Sequence, residues 1–345
     1  MSPAFKLILG TPLNAVPKPW LTLPVPGVMV NAYELLRNGK YHSLRGERLR
    51  RHLGLSDEQE LWIDSGGYQF LKRGIDPGVD KIAKVYREVS ADYYISLDYP
   101  PSPRDSEHEK RTKLARTIEA FTRLRSLLRG LASEGRLVPV FHMATNSSLR
   151  LQLHVYSSFA PIAAVGGLVP YFMQLAGRGS RAKAVLFLAL LRKLWDGRLH
   201  ALGLASTSII PLLKALGIES GDTQTWRHKA AYGKIVVPGL GERHVSGRRV
   251  KFGPAKIRRE EEEVFNQFIS AAAAKLRFSP ASLRADFKAR ALFNAWVLLL
   301  VATDGHAYRG PSRAFARLHE LARRLAESTA EAVEEKLERL LTGSM

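Results

Sequence analysis

An alternation constrains this chain more than any other feature. From residue 60 to about 240, short β-rich runs recur between helical stretches: LWID, DYYISLD, LVPVFH, IAAVGG, LHALGLA, GIESGD and KIVVPG, with GVMVNAYELL upstream. Segments of helical character fit between them, among them GVDKIAKVYREVS, the long SEHEKRTKLARTIEAFTRLRSLLRGLASEG, and SRAKAVLFLALLRKLWDG. Strands that alternate with helices imply a parallel sheet covered by helices. Eight candidates favour a closed (β/α)8 barrel of the TIM type, an α/β fold, over an open doubly wound sheet. No G-x-G-x-x-G follows any of them, which argues against a dinucleotide fold.

In a barrel of this kind the catalytic groups sit where the strands end. Asp64, Asp98, His142, Gly166 with Gly167, Gly203 and Asp222 all fall at such ends, so they describe a ring of polar groups around one pocket. Singly, each has a plainer reading. An Asp before a bend is often a helix cap, paired glycines often form a simple turn, and a lone His at a strand end is often structural. After HVSGRRVKFGPAKIRR the character changes, and residues 256–345 read as helices separated by Pro or Gly. The expected division is a catalytic barrel over residues 1–255 and a helical C-terminal region over 256–345. The second is read either as an accessory domain or as the last barrel helix with an extension.

The 345 residues are 46% hydrophobic, enough to bury a substantial core. Lys and Arg total 52 against 32 Asp and Glu, a formal net charge of +20. Such an excess points to a polyanionic partner, commonly nucleic acid, although an Arg-rich solvated surface would give the same count. The absence of cysteine excludes disulfides, thiolate metal sites and a cysteine nucleophile. The ten histidines form no H-E-x-x-H pattern, so no tightly held metal is expected. The opening residues lack the apolar core of a signal peptide, and ALFNAWVLLLVA is too short to span a bilayer. The expectation is a cytoplasmic protein without membrane attachment.

The stretch DSGGYQ, residues 64–69, resembles the signature of the tRNA-guanine transglycosylase family, whose members exchange a guanine in nucleic acid for a 7-deazaguanine. Further similarities follow in the family's order: MVNAYELLRNGK, ISLDYPP, VFH where a Gln usually stands, VGGL, HALGLAS and GIESGD. They cover roughly residues 27–240. The resemblance implies Asp222 as the nucleophile that holds the sugar covalently, and Asp64 as the acid/base that serves the leaving and entering bases. It implies a base pocket of Tyr68 stacking on the ring, Asp98, His142, Gly166, Gly167 and Leu168 reading its edges, and Leu202 beside it. Ordinary core packing accounts equally well for Leu202. No cofactor is implied.

Two features depart from the family pattern. His142 replaces the Gln, and the Cys-x-Cys-x-x-Cys…His zinc site usual after the nucleophile strand of the tRNA enzymes has no counterpart. The stretch GDTQTWRHKAAYG is more similar to the divergent branch that inserts 7-deazaguanines into DNA, so DNA is the favoured substrate and tRNA the alternative. Arg178, Arg181, Trp226, Arg227 and Lys229 are the expected nucleic-acid contacts, with surface solvation the plainer reading of the charges. A homodimer is compatible with this picture. Two other readings stay open: a non-catalytic nucleic-acid-binding partner subunit on the same barrel, and a glycosidase that releases free base to water.

Overall fold

A computed structural model describes residues 5–37, 39, 42–143, 145–175, 177, 180–237, 240–246, 257–303 and 313–342. Nine parallel strands form one sheet: β1 (Lys6–Gly10), β2 (Gly27–Asn31), β3 (Glu60–Asp64), β4 (Tyr93–Ile95), β5 (Leu137–Val138), β6 (Val140–His142), β7 (Ile162–Gly166), β8 (Arg198–Ala201) and β9 (Ser220–Thr223). Their order is β5-β4-β3-β2-β1-β9-β8-β7-β6. The two edges of the sheet are therefore β5 and β6, separated in the chain by Pro139 alone. Before it, Val138 accepts from Ser96; at it, the Pro139 carbonyl accepts from Ala164 at 2.8 Å. One segment thus pairs with β4 by its first half and with β7 by its second, and the ring of staves closes through it. The proline has no N–H to give to a ladder, which interrupts the strand there.

The expected α/β barrel is present, with one strand exchanged. KIVVPG, read as a barrel strand, instead forms β10 (Lys234–Val237), paired antiparallel with β11 (Gly241–His244) outside the barrel. Its place belongs to KLILG, which pairs with both β2 and β9. Strands covered on both faces read as continuous apolar runs, so the two segments look alike in sequence.

The sheet separates two apolar clusters. Inside the barrel Ile8, Met29, Trp62, Ile95, Val138, Val140, Ile162 and Ala164 pack together, with Leu202 and Tyr93 at the margins. The larger cluster lies between the strands and the surrounding helices. Helix Glu107–Leu127 opens on a reciprocal capping box: Ser106 accepts from the Glu109 N–H while the Glu109 carboxylate accepts from Ser106. The apolar segment ALFNAWVLLLVA lies within a largely buried helix, Phe287–Thr303. It packs on helix Thr225–Ala231 and on β10, where the Asn294 amide bonds the backbone of Trp226, Lys234 and Val236. Helices Arg313–Glu327 and Ala330–Thr342 lie against helix Ser180–Leu194. Among the described residues no helix is long and apolar enough to cross a membrane.

Candidate active site

Period-two alternation along each strand sends every second side chain into the barrel. On β3 this face carries Glu60, Trp62 and Asp64; on β8 it carries His200, followed by Leu202; on β9 it carries Ser220 and Asp222. The inward residues nearest the strand ends are therefore Asn31, Asp64, His142 and Asp222, joined by Asp98 from the segment after β4. Beneath them the Trp62 ring stacks on His200 at 4.6 Å and lies 4.3 Å from Tyr93, which closes the floor of the site.

The geometry accounts for the two glycines of DSGGYQ. Gly66 has φ +83°, a left-handed conformation that suits glycine, and a Cβ on it would stand 2.5 Å from Asn31 Oδ1. Gly67 has no such torsion, but a Cβ there would overlap both the carbonyl and the carboxylate of Asp98. The turn is thus built from glycines so that Asn31 and Asp98 can approach Asp64. Asn31 Oδ1 accepts from the Tyr33 N–H, and its Nδ2 donates to Asp64 Oδ2 at 2.8 Å. The Gly66 N–H reaches the same oxygen at 3.3 Å. Both of these donors therefore fall on Oδ2.

Asp64 has reason to hold a proton. Burial, then the neighbouring charges of Asp98 and Asp222, push its pKa up to about 8, against the opposing N–H groups of Gly66 and Ser65. Asp222, 8% exposed, is held differently: its Oδ1 accepts from the Gly203 N–H at 2.7 Å and lies 3.4 Å from His200 Nε2. Gly203 has φ +68°, the left-handed turn that aims this N–H. Among the described residues no hydrogen bond falls on Asp222 Oδ2. The result is one carboxyl biased toward its acid form in the field of another held in place as a base or nucleophile.

Asp98 and His142 form the third element. The buried His142 places Nε2 3.0 Å from Asp98 Oδ2, off the line of a hydrogen bond, and neither ring nitrogen has a hydrogen-bond partner among the described residues. The backbone of His142 is pinned by the buried Gln152 side chain, which accepts from its N–H and donates to its carbonyl. Added Cβ atoms at Gly166 and Gly167 would come within 3.0 and 3.1 Å of the imidazole, so a side chain at either position would press the ring by a few tenths of an ångström, and Gly167 has φ +73°, a left-handed conformation that favours glycine. Leu168 is fully buried and Leu202 half-buried against the inner cluster. Tyr68 is 62% exposed on the short helix Gly67–Leu71 that follows β3.

The expected nucleic-acid contacts are scattered. Trp226 is buried, with its indole N–H on the Gly10 carbonyl at 3.0 Å and its ring edge-on to Trp20; it is a strut of the core and not a surface contact. Lys229 is paired with Glu242. Arg181 donates to the Phe172 carbonyl and packs over the Phe315 ring. Arg227 is half-buried beside Trp226. Arg178 lies outside the described residues. Two polar residues of the site, Asn31 and His200, were passed over as candidates by sequence reasoning. Period two along LHALGLA signals the second, since His200 precedes Leu202 by two positions and shares its inward face. Among the described residues no group of three or more His, Asp or Glu is set to hold a metal ion.

No protein-family model matches the chain. It is 24% identical over 254 residues to Uncharacterized protein 306 of Sulfolobus islandicus rod-shaped virus 1, an alignment covering 72% of this chain and 73% of that protein. It is 27% identical over 217 residues to the tRNA-guanine(15) transglycosylase of Nanoarchaeum equitans, covering 61% of this chain and 49% of the enzyme, about half its length. This distant similarity and the parallel barrel fit the tRNA-guanine transglycosylase superfamily.

Proposed function

We propose that the chain is a base-exchange transglycosylase that replaces guanine in a nucleic acid with a 7-deazaguanine through a covalent aspartyl-glycosyl intermediate. The observation that carries this reading is the pairing of Asp64, its pKa pushed up to about 8, with the fixed carboxylate of Asp222 at the C-terminal end of one barrel. A carboxyl able to give a proton beside a second one fixed for attack is what a double displacement at a sugar carbon requires.

In the first step an Asp222 oxygen bonds to C1′ as the bond from C1′ to the guanine nitrogen breaks. The electron pair leaves with guanine, which takes the Asp64 proton. In the second step the entering base returns a proton to Asp64, its freed nitrogen pair attacks C1′, and Asp222 departs as carboxylate. Asp98 accepts from the donors on the base edge, the Gly167 N–H donates to its oxygen, and His142 faces the same ring. No nucleotide cofactor enters this scheme, because the covalent intermediate conserves the energy of the first glycosidic bond. The catalytic barrel is assigned to residues 1–255 and the helical region to 256–345.

DNA is the proposed substrate, on the similarity of GDTQTWRHKAAYG to the DNA-modifying branch and the lack of a cysteine zinc site. The similarity to a tRNA-guanine(15) transglycosylase favours tRNA as the second reading. Transfer of labelled guanine into DNA and into tRNA, offered separately to the parent chain and to Asp222→Asn, tests both. Label in DNA alone, lost by at least about 1,000-fold in the variant, is the expected result. Label in tRNA alone would reassign the substrate, and full transfer by Asp222→Asn would remove Asp222 from the chemistry.

A further inference from the structure

The buried imidazole below the proposed nucleophile has no role in the scheme above. We infer that His200 is a positioning residue for Asp222: its Nε2–H and the Gly203 N–H together fix Oδ1, so that Oδ2 is the oxygen that attacks C1′. This rests on the reading of Asp222 as the nucleophile.

Three observations carry the inference. His200 is fully buried, and one face of its ring is covered by Trp62, itself flanked by Tyr93, so the imidazole is shielded from solvent. Its Nδ1 lies 3.0 Å from Ser220 Oγ, and its Nε2 lies 3.4 Å from Asp222 Oδ1. Ser220 and Asp222 are alternate residues of one strand, so the two contacts span the ring from end to end.

The tautomer follows from the partners. A neutral imidazole has one N–H and one lone pair, and an ionised carboxylate only accepts. An N–H on Nε2 meets an acceptor in Asp222, and Nδ1 then faces the Ser220 hydroxyl, whose Oγ also lies 3.4 Å from the Leu199 carbonyl; the Asp222 contact is what selects this tautomer. The opposite tautomer would set a lone pair against a carboxylate oxygen. When Oδ2 becomes the ester oxygen of the glycosyl intermediate, Oδ1 becomes its carbonyl oxygen and keeps both donors. They then favour departure of the carboxylate in the second step, because charge returns to an oxygen already surrounded by N–H groups.

The test uses the full chain with His200→Leu, which removes the donor at similar size, and His200→Gln, which retains one. His200→Leu should lower kcat for base exchange by about 10- to 100-fold with KM nearly unchanged, and His200→Gln should recover most of the loss. Equal losses in the two variants, or none in either, would overturn the inference. Imidazole ¹⁵N spectra supply a readout that needs no activity, with the His200 signal identified by its absence in His200→Gln. The expected spectrum shows Nε2 protonated in the parent chain and altered shifts for His200 in Asp222→Ala. An Nδ1–H tautomer, or a His200 signal indifferent to Asp222→Ala, would overturn the pairing whether or not base exchange is observed. Absence of exchange with an intact Nε2–H signal would count against the proposed reaction and leave the pairing standing.

Discussion

The two ends of the barrel interior treat charge in opposite ways. At the N-terminal end Lys6 meets Glu60 at 2.6 Å, the Trp62 indole N–H donates to the other Glu60 oxygen, and Arg198 donates to the Tyr93 hydroxyl. Every group there has a complement. At the C-terminal end Asp64, Asp98 and Asp222 face one another, and among the described residues no lysine or arginine pairs with any of them. One strand, β3, carries both kinds of site, with Glu60 paired below and Asp64 crowded above. The lesson is that the rim holds like charges in place through backbone N–H groups, glycine turns and the packed cluster below, and not through counter-ions. Such crowding lowers stability and shifts pKa values, which is the condition acid–base chemistry needs.

Asp64→Asn breaks this contrast most severely. Base exchange should fall by about 100- to 10,000-fold, the usual worth of a general acid. Stability should change in the other direction, with a defined pH dependence. Asp64 ionises near 3.8 in the unfolded chain and near 8 in the folded one, so between these values the native state binds the extra proton. Stability therefore falls as pH rises through that window and levels off above about 8. The variant should match the parent near pH ~4 and exceed it by on the order of a few kcal/mol near pH ~9, read from denaturant midpoints. An equal difference at both pH values would show that Asp64 is not crowded in solution.

Gly67→Ala tests whether glycine is what lets Asp98 approach. The added methyl must displace the Asp98 backbone or carboxylate, which should cost about 1–3 kcal/mol in denaturant unfolding and weaken exchange by raising KM for the base. An unaltered KM would mean that Asp98 does not read the base. The smallest effect belongs to the paired end. Glu60→Gln should cost less than about 1 kcal/mol, because the Lys6 pair is partly exposed, and should leave exchange unchanged. A loss of activity there would show that the two ends are coupled through Trp62.

Much of this organisation is legible in the sequence, for reasons that also explain the misses. Asp64, Asp98 and His142 follow mainly apolar runs, so they mark strand ends without any knowledge of the fold, whereas Asp222 stands in the polar GIESGDTQ and is picked out only by its place in the order of motifs. β1 was missed because KLILG is apolar at nearly every position and precedes a proline-rich stretch, whereas KIVVPG, equally apolar, sits where the alternation predicts a strand. Burial on both faces removes the periodic signal that would tell a barrel stave from a hairpin. His200 was missed because it lies one alternate position below the rim. Trp226 was misassigned because an aromatic beside cations looks the same in sequence whether its ring faces solvent or, as here, Gly10 and Trp20.

The pairing of β1 with β9 bears on how the chain acquires its crowded rim. In chain order Asp64 and Asp98 lie close together and can settle beside each other, while the strand bearing Asp222 comes much later and completes the circle against β1. The repulsion between Asp64 and Asp98 is thus in place before closure, and Asp222 adds its share when the circle closes. Refolding from denaturant is then expected to show a closing phase that slows as pH is raised from about 4 toward about 8 and loses that slowing when Asp64 carries no charge.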